Sequence, residues 1–259
     1  MADIPYISII TPVYNVGQYL EETIASVQNQ TYSHWEHIII DDASTDDSLK
    51  IIKKAAQADQ RICYQSLPQN KGAAYARNLA TEMAKGTYIA FLDADDLWHP
   101  EKLEKQLDFM QTHKGKVSYT SYIQIDEQGN SLHKRIKARP QLTYRQQLAN
   151  NYVGNLTGIY HVASLGKITT PNLRKRQDWA LWLEAIKRSN QPALGLQKDL
   201  AYYRVRKGGL SASKWKLIPY NFAFYRKHLG FSFLKSVLWL VRFFYEYFVV
   251  RSQWIESTK

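Results

Sequence analysis

The chain lacks most of what would mark a secreted, repetitive or membrane-spanning protein. It has one cysteine, Cys63, so no disulfide can form within its 259 residues, and a reducing compartment fits. The opening Met-Ala-Asp-Ile-Pro has no basic segment leading into an apolar one, so no signal peptide is expected. No internal repeat and no low-complexity segment appears, which excludes repeat and disordered architectures. The one apolar stretch of bilayer-spanning length, Phe231 to Val250, is interrupted by Lys235, Arg242 and Glu246. A charge at mid-bilayer is costly, so no span is expected there. Acidic residues are scarce in the last third. Residues 171–259 hold 17 Lys+Arg against 5 Asp+Glu, whereas residues 1–170 hold 17 against 18. The whole excess behind the net +11 therefore lies after residue 170, where an anionic surface or substrate could meet it.

What is present is an ordered alternation of strands and helices. Tyr6–Thr11 reads as a buried strand broken by Pro12, and Val16, Tyr19, Leu20, Ile24 and Val27 recur at helical spacing. A second strand over 36–40 ends in Asp41-Asp42 and leads to a helix carrying Leu49, Ile52 and Ala55. A short strand at 62–64 and a helix over 73–84 follow. Such units predict an α/β fold with a mostly parallel sheet and helices on both faces. Further helices are expected after Pro100 and from Asp178. Further strands are expected over 117–125, 155–161 and 201–205, with a loop and short helix over 134–152.

The apolar run Tyr88-Ile89-Ala90-Phe91-Leu92 ends in Asp93-Ala94-Asp95-Asp96, three carboxylates in four residues. Like charges gathered at a strand end point to a cation, and oxygen ligands of this kind suit Mg²⁺ or Mn²⁺ shared with substrate phosphates. The bland alternative is a solvated acidic turn. Three polar clusters, at 12–15, 41–46 and 93–96, all fall at strand ends, where open α/β sheets bind ligands.

With these motifs stand Asn70-Lys71-Gly72, Ala76-Arg77-Asn78 and Gln177-Asp178 before Leu181-Trp182-Leu183. Together, over about residues 6–210, they resemble family 2 glycosyltransferases, and among these the bacterial enzymes of capsule, O-antigen and teichuronic-acid-type polysaccharides. The resemblance implies a GT-A fold over 1–214 (nucleotide-sugar side about 1–115, acceptor side about 116–214) and inverting transfer from a nucleotide donor. Pro12 and Tyr14 would line the base and ribose pocket, in a donor site that also includes Asn15, Lys71 and Ala94. Asp42 would accept from the uracil imide, favouring a UDP-sugar, and Arg77 would reach the nucleotide phosphates. Asp93 and Asp95 would hold ribose and Mn²⁺ or Mg²⁺, with Asp96 a third candidate ligand. Asp178 would be the general base, since one carboxylate suffices when the leaving diphosphate is already good; an ordinary helix cap is the alternative. Many relatives carry a His after the last strand. Arg204-Val205-Arg206-Lys207 stands there instead, so these cations are expected on the diphosphate. No Gln-x-x-Arg-Trp motif appears, which argues against a processive synthase.

Residues 215–259 lie outside the resemblance. Lys235, Arg242 and Glu246 fall within about 20° of one helical direction, leaving a wide apolar face, with Arg242 and Glu246 at i, i+4. Such a basic aromatic helix suits the headgroup region of a membrane, placing the enzyme at the cytoplasmic face of the inner membrane beside a lipid-linked or other glycan acceptor. Packing on the catalytic domain or in a homodimer is the alternative. A non-catalytic nucleotide-sugar-binding scaffold is the rival function. A nucleotidyltransferase would show a Gly-rich basic loop after the first strand, and no motif for reading nucleic acid is present.

Overall fold

Charge-poor, β-branched runs make Ile7–Val13 and Trp35–Asp41 interior strands of a parallel set that Ile62–Ser66 closes at the sheet edge. The computed structural model describes residues 6–173, 175–206 and 218–258. Its first half runs β1 (Ile7–Val13), α1 (Gly17–Gln28), β2 (Trp35–Asp41), α2 (Ser48–Ala58), β3 (Ile62–Ser66), α3 (Ala73–Met83) and β4 (Tyr88–Phe91). These strands pair in parallel in the order β3-β2-β1-β4. Alternate residues of β1 feed two cores, because successive strand side chains point to opposite faces. Ile7 and Ile9 meet Leu20, Ile24 and Ile52 of α1 and α2 on one face. Ile10 meets Ala76 and Ala80 of α3 on the other.

The second half continues with β5 (Leu97–Trp98), α4 (Lys102–Thr112), β6 (Val117–Ile125), β7 (Ser131–Ile136), β8 (Gln141–Leu142) and α5 (Tyr144–Ala149). After a 3₁₀ turn over Asn155–Thr157 come β9 (Ile159–His161), α6 (Val162–Leu165), α7 (Gln177–Ser189) and β10 (Ala193–Arg204). Here the sheet is mixed. β9 runs antiparallel to both β4 and β6, β7 antiparallel to β6, and β10 parallel to β6. The parallel character thus holds through β4. The tight turn over 126–130 can return the chain only antiparallel. β10 begins at Ala193 rather than near Ala201, because register shifts between Leu196 and Ala201 interrupt its alternation.

The tail folds back on the domain. It forms α8 (Ile218–Ala223), α9 (Phe233–Tyr245), π- and 3₁₀-type turns through Trp254, and β11 (Ile255–Ser257), which pairs antiparallel with β7. Trp179 of α7 stacks on Phe224 at 4.4 Å between ring centroids, and Tyr225 and Phe243 close around it. Glu246 is buried, accepting from the Tyr152 hydroxyl at 2.6 Å and paired with Arg139 and Arg242 at 3.4 and 3.1 Å. The opposite side of α9 exposes Phe233, Leu234, Leu238 and Val241. Among the described residues no helix is long and apolar enough to cross a membrane. Lys207-Gly208-Gly209-Leu210-Ser211 reads from sequence as a loop, and it lies outside the described residues.

Candidate active site

The strand order reverses between β1 and β4, so loops from both sides of the sheet meet at its carboxyl edge. After β1, Pro12 is half-buried and Tyr14 is 49% exposed, its ring free to meet a planar group. Asn15, in the left-handed region at φ 50°, ties this loop to the next. Its Oδ1 accepts from the Thr45 amide at 2.8 Å, and its own amide donates to Ser44 Oγ at 3.1 Å.

Asp42 is buried, and its two carboxylate oxygens accept from the amides of Lys71 and Gly72, both at 2.7 Å. A carboxylate has further lone pairs, so base recognition by Asp42 would use those left over. The clamp explains the glycine. Gly72 sits at φ 88°, where a side chain is strained, and leads directly into α3. Lys71 stands exposed at the rim with its ammonium 4.5 Å over the Tyr75 ring. The neighbouring Asp41 is wholly buried and accepts from Ser66 Oγ at 2.7 Å and the Ser44 amide at 3.2 Å.

The turn after β4 is held from behind by two residues that the motifs did not single out for this role. The Thr23 hydroxyl lies 3.0 Å from the carbonyls of both Ala94 and Asp96. Arg204 donates its amide to Asp96 Oδ1 and its Nε to the Asp95 carbonyl, both at 2.8 Å, and its Nη2 reaches Glu22 at 2.7 Å. The guanidinium expected on the diphosphate is therefore engaged in shaping the acidic turn. Asp96 is directed the same way. It is buried, and burial next to Asp95 and Asp93 lifts its pKa well above the usual carboxylate range. Asp95 is also raised by burial, opposed by Arg206, whose Nε lies 2.8 Å from its Oδ2. Lys207 lies outside the described residues.

Asp93 faces the other way. Its Oδ1 accepts from Arg77 Nη2 and from Asn155 Nδ2, both at 3.1 Å. Arg77 is buried and gives its Nη1 to Gln177 Oε1 at 3.0 Å, so one guanidinium joins Asp93 to the start of α7. Asp178 is the second residue of α7, and it does not cap that helix. The N-cap is Arg176, at φ 71° without a side-chain cap. Asp178 Oδ2 instead accepts from Asn151 Nδ2 at 2.7 Å, and Asn151 Oδ1 accepts from Gln147 at 2.8 Å. Asp93 and Asp178 line one cavity of about 670 Å³, walled by Asn150–Asn155 on one side and by Phe243, Tyr247 and Arg251 of the tail on the other. Asn151, Asn155 and Arg251 were not foreseen. The asparagines lie in a polar stretch without periodicity, and Arg251 lies in the tail.

On the turn after β4, Asp93 and Asp95 are the carboxylates that could hold a divalent ion, and each is also paired with an arginine, Arg77 and Arg206 respectively. Among the described residues no group of three His, Cys, Asp or Glu gathers to hold one unaided. That fits Mg²⁺ or Mn²⁺, which take one or two carboxylates and complete their shell with waters and substrate phosphates.

Known proteins share this fold and family. The profile of glycosyl transferase family 2 matches residues 8–168. The chain is 41% identical over 239 residues to a protein named as a teichuronic acid biosynthesis glycosyltransferase, TuaG, of Bacillus subtilis (strain 168), covering 92% of this chain and 94% of that one. It is 35% identical over 210 residues to WfgD of Escherichia coli, named UDP-Glc:alpha-D-GlcNAc-diphosphoundecaprenol beta-1,3-glucosyltransferase, with 81% of each chain covered. Among solved structures, S. aureus TarS 1-349 in complex with UDP-GlcNAc superposes with a TM-score of 0.73 at 23% identity, over 94% of this chain and 73% of that one. A mannosyltransferase of Pyrobaculum calidifontis, in complex with GDP-Man and Mn²⁺, superposes with a TM-score of 0.66 at 16% identity, over 92% and 70%. The fold is GT-A, and the chain belongs to glycosyl transferase family 2.

Proposed function

We propose that the protein transfers a sugar, with inversion, from a UDP-sugar to a hydroxyl of a lipid-linked saccharide during cell-surface polysaccharide synthesis. The observation that carries this reading is the placing of Asp93 and Asp178 on one cavity, joined through Arg77 and Gln177. The donor lies toward β1, β2 and β4, with Tyr14 against the base, Asp42 reading it and Asp93 at the ribose or diphosphate. The acceptor enters the cavity from the side of Asp178. Asn151 holds one oxygen of Asp178, and the other takes the proton as the acceptor hydroxyl attacks the anomeric carbon opposite the departing diphosphate. Asp93 and Asp95 would hold Mn²⁺ or Mg²⁺, which when bound offsets charge on the leaving nucleoside diphosphate. Asp96 is left out of this set because its carboxylate is buried against the Arg204 amide.

The donor and acceptor classes follow the named chemistry of the relatives: UDP-Glc and a diphosphoundecaprenol-linked sugar for WfgD, teichuronic acid for TuaG. A scaffold without activity would have no use for a base held by a dedicated asparagine. The exposed apolar side of α9, flanked by Arg226, Lys227 and Lys235, would rest on the anionic cytoplasmic face of the inner membrane. The donor reading is tested by thermal shift and calorimetry with UDP, with and without Mn²⁺, on the protein and on Asp95→Ala. A ligand that binds only the folded state raises the melting temperature. We expect a UDP shift that grows with Mn²⁺ and loses that growth in the variant. Silence with UDP, CDP, GDP and dTDP alike would sink the reading.

A further inference from the structure

We propose that Arg176 and Arg251 form a subsite for the phosphate groups of the acceptor, on the wall of the cavity between Asp178 and the C-terminal tail. The inference rests on the acceptor entering beside Asp178.

Both arginines line the cavity. Around the same edge, Arg77, Arg139, Arg204 and Arg206 each have a carboxylate partner. Among the described residues Arg176 and Arg251 form no salt bridge. Arg176 gives its Nε to Asn221 Oδ1 at 2.7 Å, and its guanidinium lies 5.5 Å over Trp179 and 5.9 Å over Phe243. Arg251 gives its Nη1 to Asn150 Oδ1 at 3.0 Å and to the Asn151 carbonyl at 2.9 Å. Neutral amides, a carbonyl and ring faces thus position two cations without neutralising them. Burial, opposed by Asp178 and reinforced by Arg251, holds the Arg176 guanidinium below its ordinary pKa. An anion between the two would remove that penalty.

A second observation points the same way. Asn150 is 1% exposed and lines the cavity, yet its Nδ2 has no partner among the described residues. A buried donor without an acceptor is unfavourable, and an incoming oxygen would satisfy it. Two guanidinium forks and an amide donor match the acceptor-only, planar-edged oxygens of a phosphate or diphosphate.

The position fits an acceptor with three parts. Asn151 bonds Asp178 with its side chain and Arg251 with its carbonyl, so base and phosphate subsite sit on either side of one residue. A saccharide there would offer its hydroxyl to Asp178 and its phosphate to the arginines. Beyond them the wall continues through Phe244 to Phe248, which is 60% exposed and belongs to the apolar surface of the tail. An alkyl chain leaving the phosphate would run onto that surface.

The test uses decyl diphosphate and neutral decyl glucoside, titrated by calorimetry into the full chain with the donor site saturated by UDP. We expect decyl diphosphate to bind at least about tenfold more tightly than the glucoside. Arg176→Gln and Arg251→Gln should each weaken it by about 10- to 100-fold, the loss of charge-assisted hydrogen bonds, while UDP affinity stays unchanged. Arg251→Lys, which keeps the charge but loses the fork, should fall between and guards against a glutamine variant that fails to fold. Equal binding of the two decyl compounds, or variants that leave decyl diphosphate unaffected, would overturn the proposal. Variants that weaken UDP as much as decyl diphosphate would move the arginines to the donor site and overturn it equally. Failure of UDP to bind the unaltered protein is a separate result that counts against the donor reading, and decyl diphosphate then tests the arginines alone.

Discussion

Replacing Glu246 by alanine removes the one carboxylate that fastens the end of α9 to the body of the enzyme. Its side chain is 2% exposed and meets three partners: the Tyr152 hydroxyl at 2.6 Å, Arg139 at 3.4 Å and Arg242 at 3.1 Å. The partners are unequal. Arg242 is 54% exposed and one turn away, so that pair contributes only about 0.3–0.5 kcal/mol. The Tyr152 bond is buried and charge-assisted, about 1.5–3 kcal/mol. Arg139 is 15% exposed and would be left facing Tyr152 with no counter-charge, and breaking a buried pair from one side costs about 3–5 kcal/mol in all. For a chain of this size 1 kcal/mol moves the melting temperature by about 2–4 °C, so Glu246→Ala should melt about 6–20 °C lower. Glu246→Gln keeps an acceptor for Tyr152 and should lose roughly half of that. Calorimetric melts of the three proteins decide the matter. A shift of less than about 2 °C for the alanine variant would refute the account of how the tail is attached. Because Phe243 and Tyr247 beside Glu246 wall the cavity, the acceptor KM should rise in the same variants while UDP affinity holds.

Asp178→Asn should lower kcat by about 10²- to 10⁴-fold, the range for a general base, with UDP-sugar binding unchanged, because Oδ1 of an asparagine can still accept from Asn151. A fall of less than about threefold would show that Asp178 is not the base. Membrane contact is checked by flotation with anionic vesicles. Leu234→Ser with Leu238→Ser should lose flotation and keep the melting temperature, since these residues are 69% and 61% exposed; unchanged flotation would sink the membrane reading.

The first half of the molecule was legible because its signals are local. Each strand of β1, β2 and β4 ends in its own polar cluster, and the alternation with α1, α2 and α3 places those clusters on one edge before any contact is known. What could not be read was which carboxylates face outward. Asp93 and Asp96 are three residues apart in the same turn, and only Arg204, more than a hundred residues on, turns Asp96 inward. The second half has no such local signal. Its cavity draws on 150–155, 176–178 and 243–255, segments brought together by single long-range contacts such as Arg251 to Asn150, 101 residues apart. No periodicity records such a contact, because an asparagine that holds the Asp178 carboxylate looks like any loop asparagine until its partner is seen. The same geometry changes what the tail is. Read from sequence, residues 215–259 are a basic aromatic tail that rests on a membrane or, as the alternative, packs on the domain or in a dimer. Folded, residues 218–258 add an edge strand to the sheet through β11 and supply one wall of the cavity that Asp178 lines. Deleting them would open the cavity as well as remove any membrane contact, so loss of activity in a truncated chain cannot report on the membrane. Substitutions confined to the exposed side of α9 can, because Phe243 on its buried side keeps its place in the cavity wall.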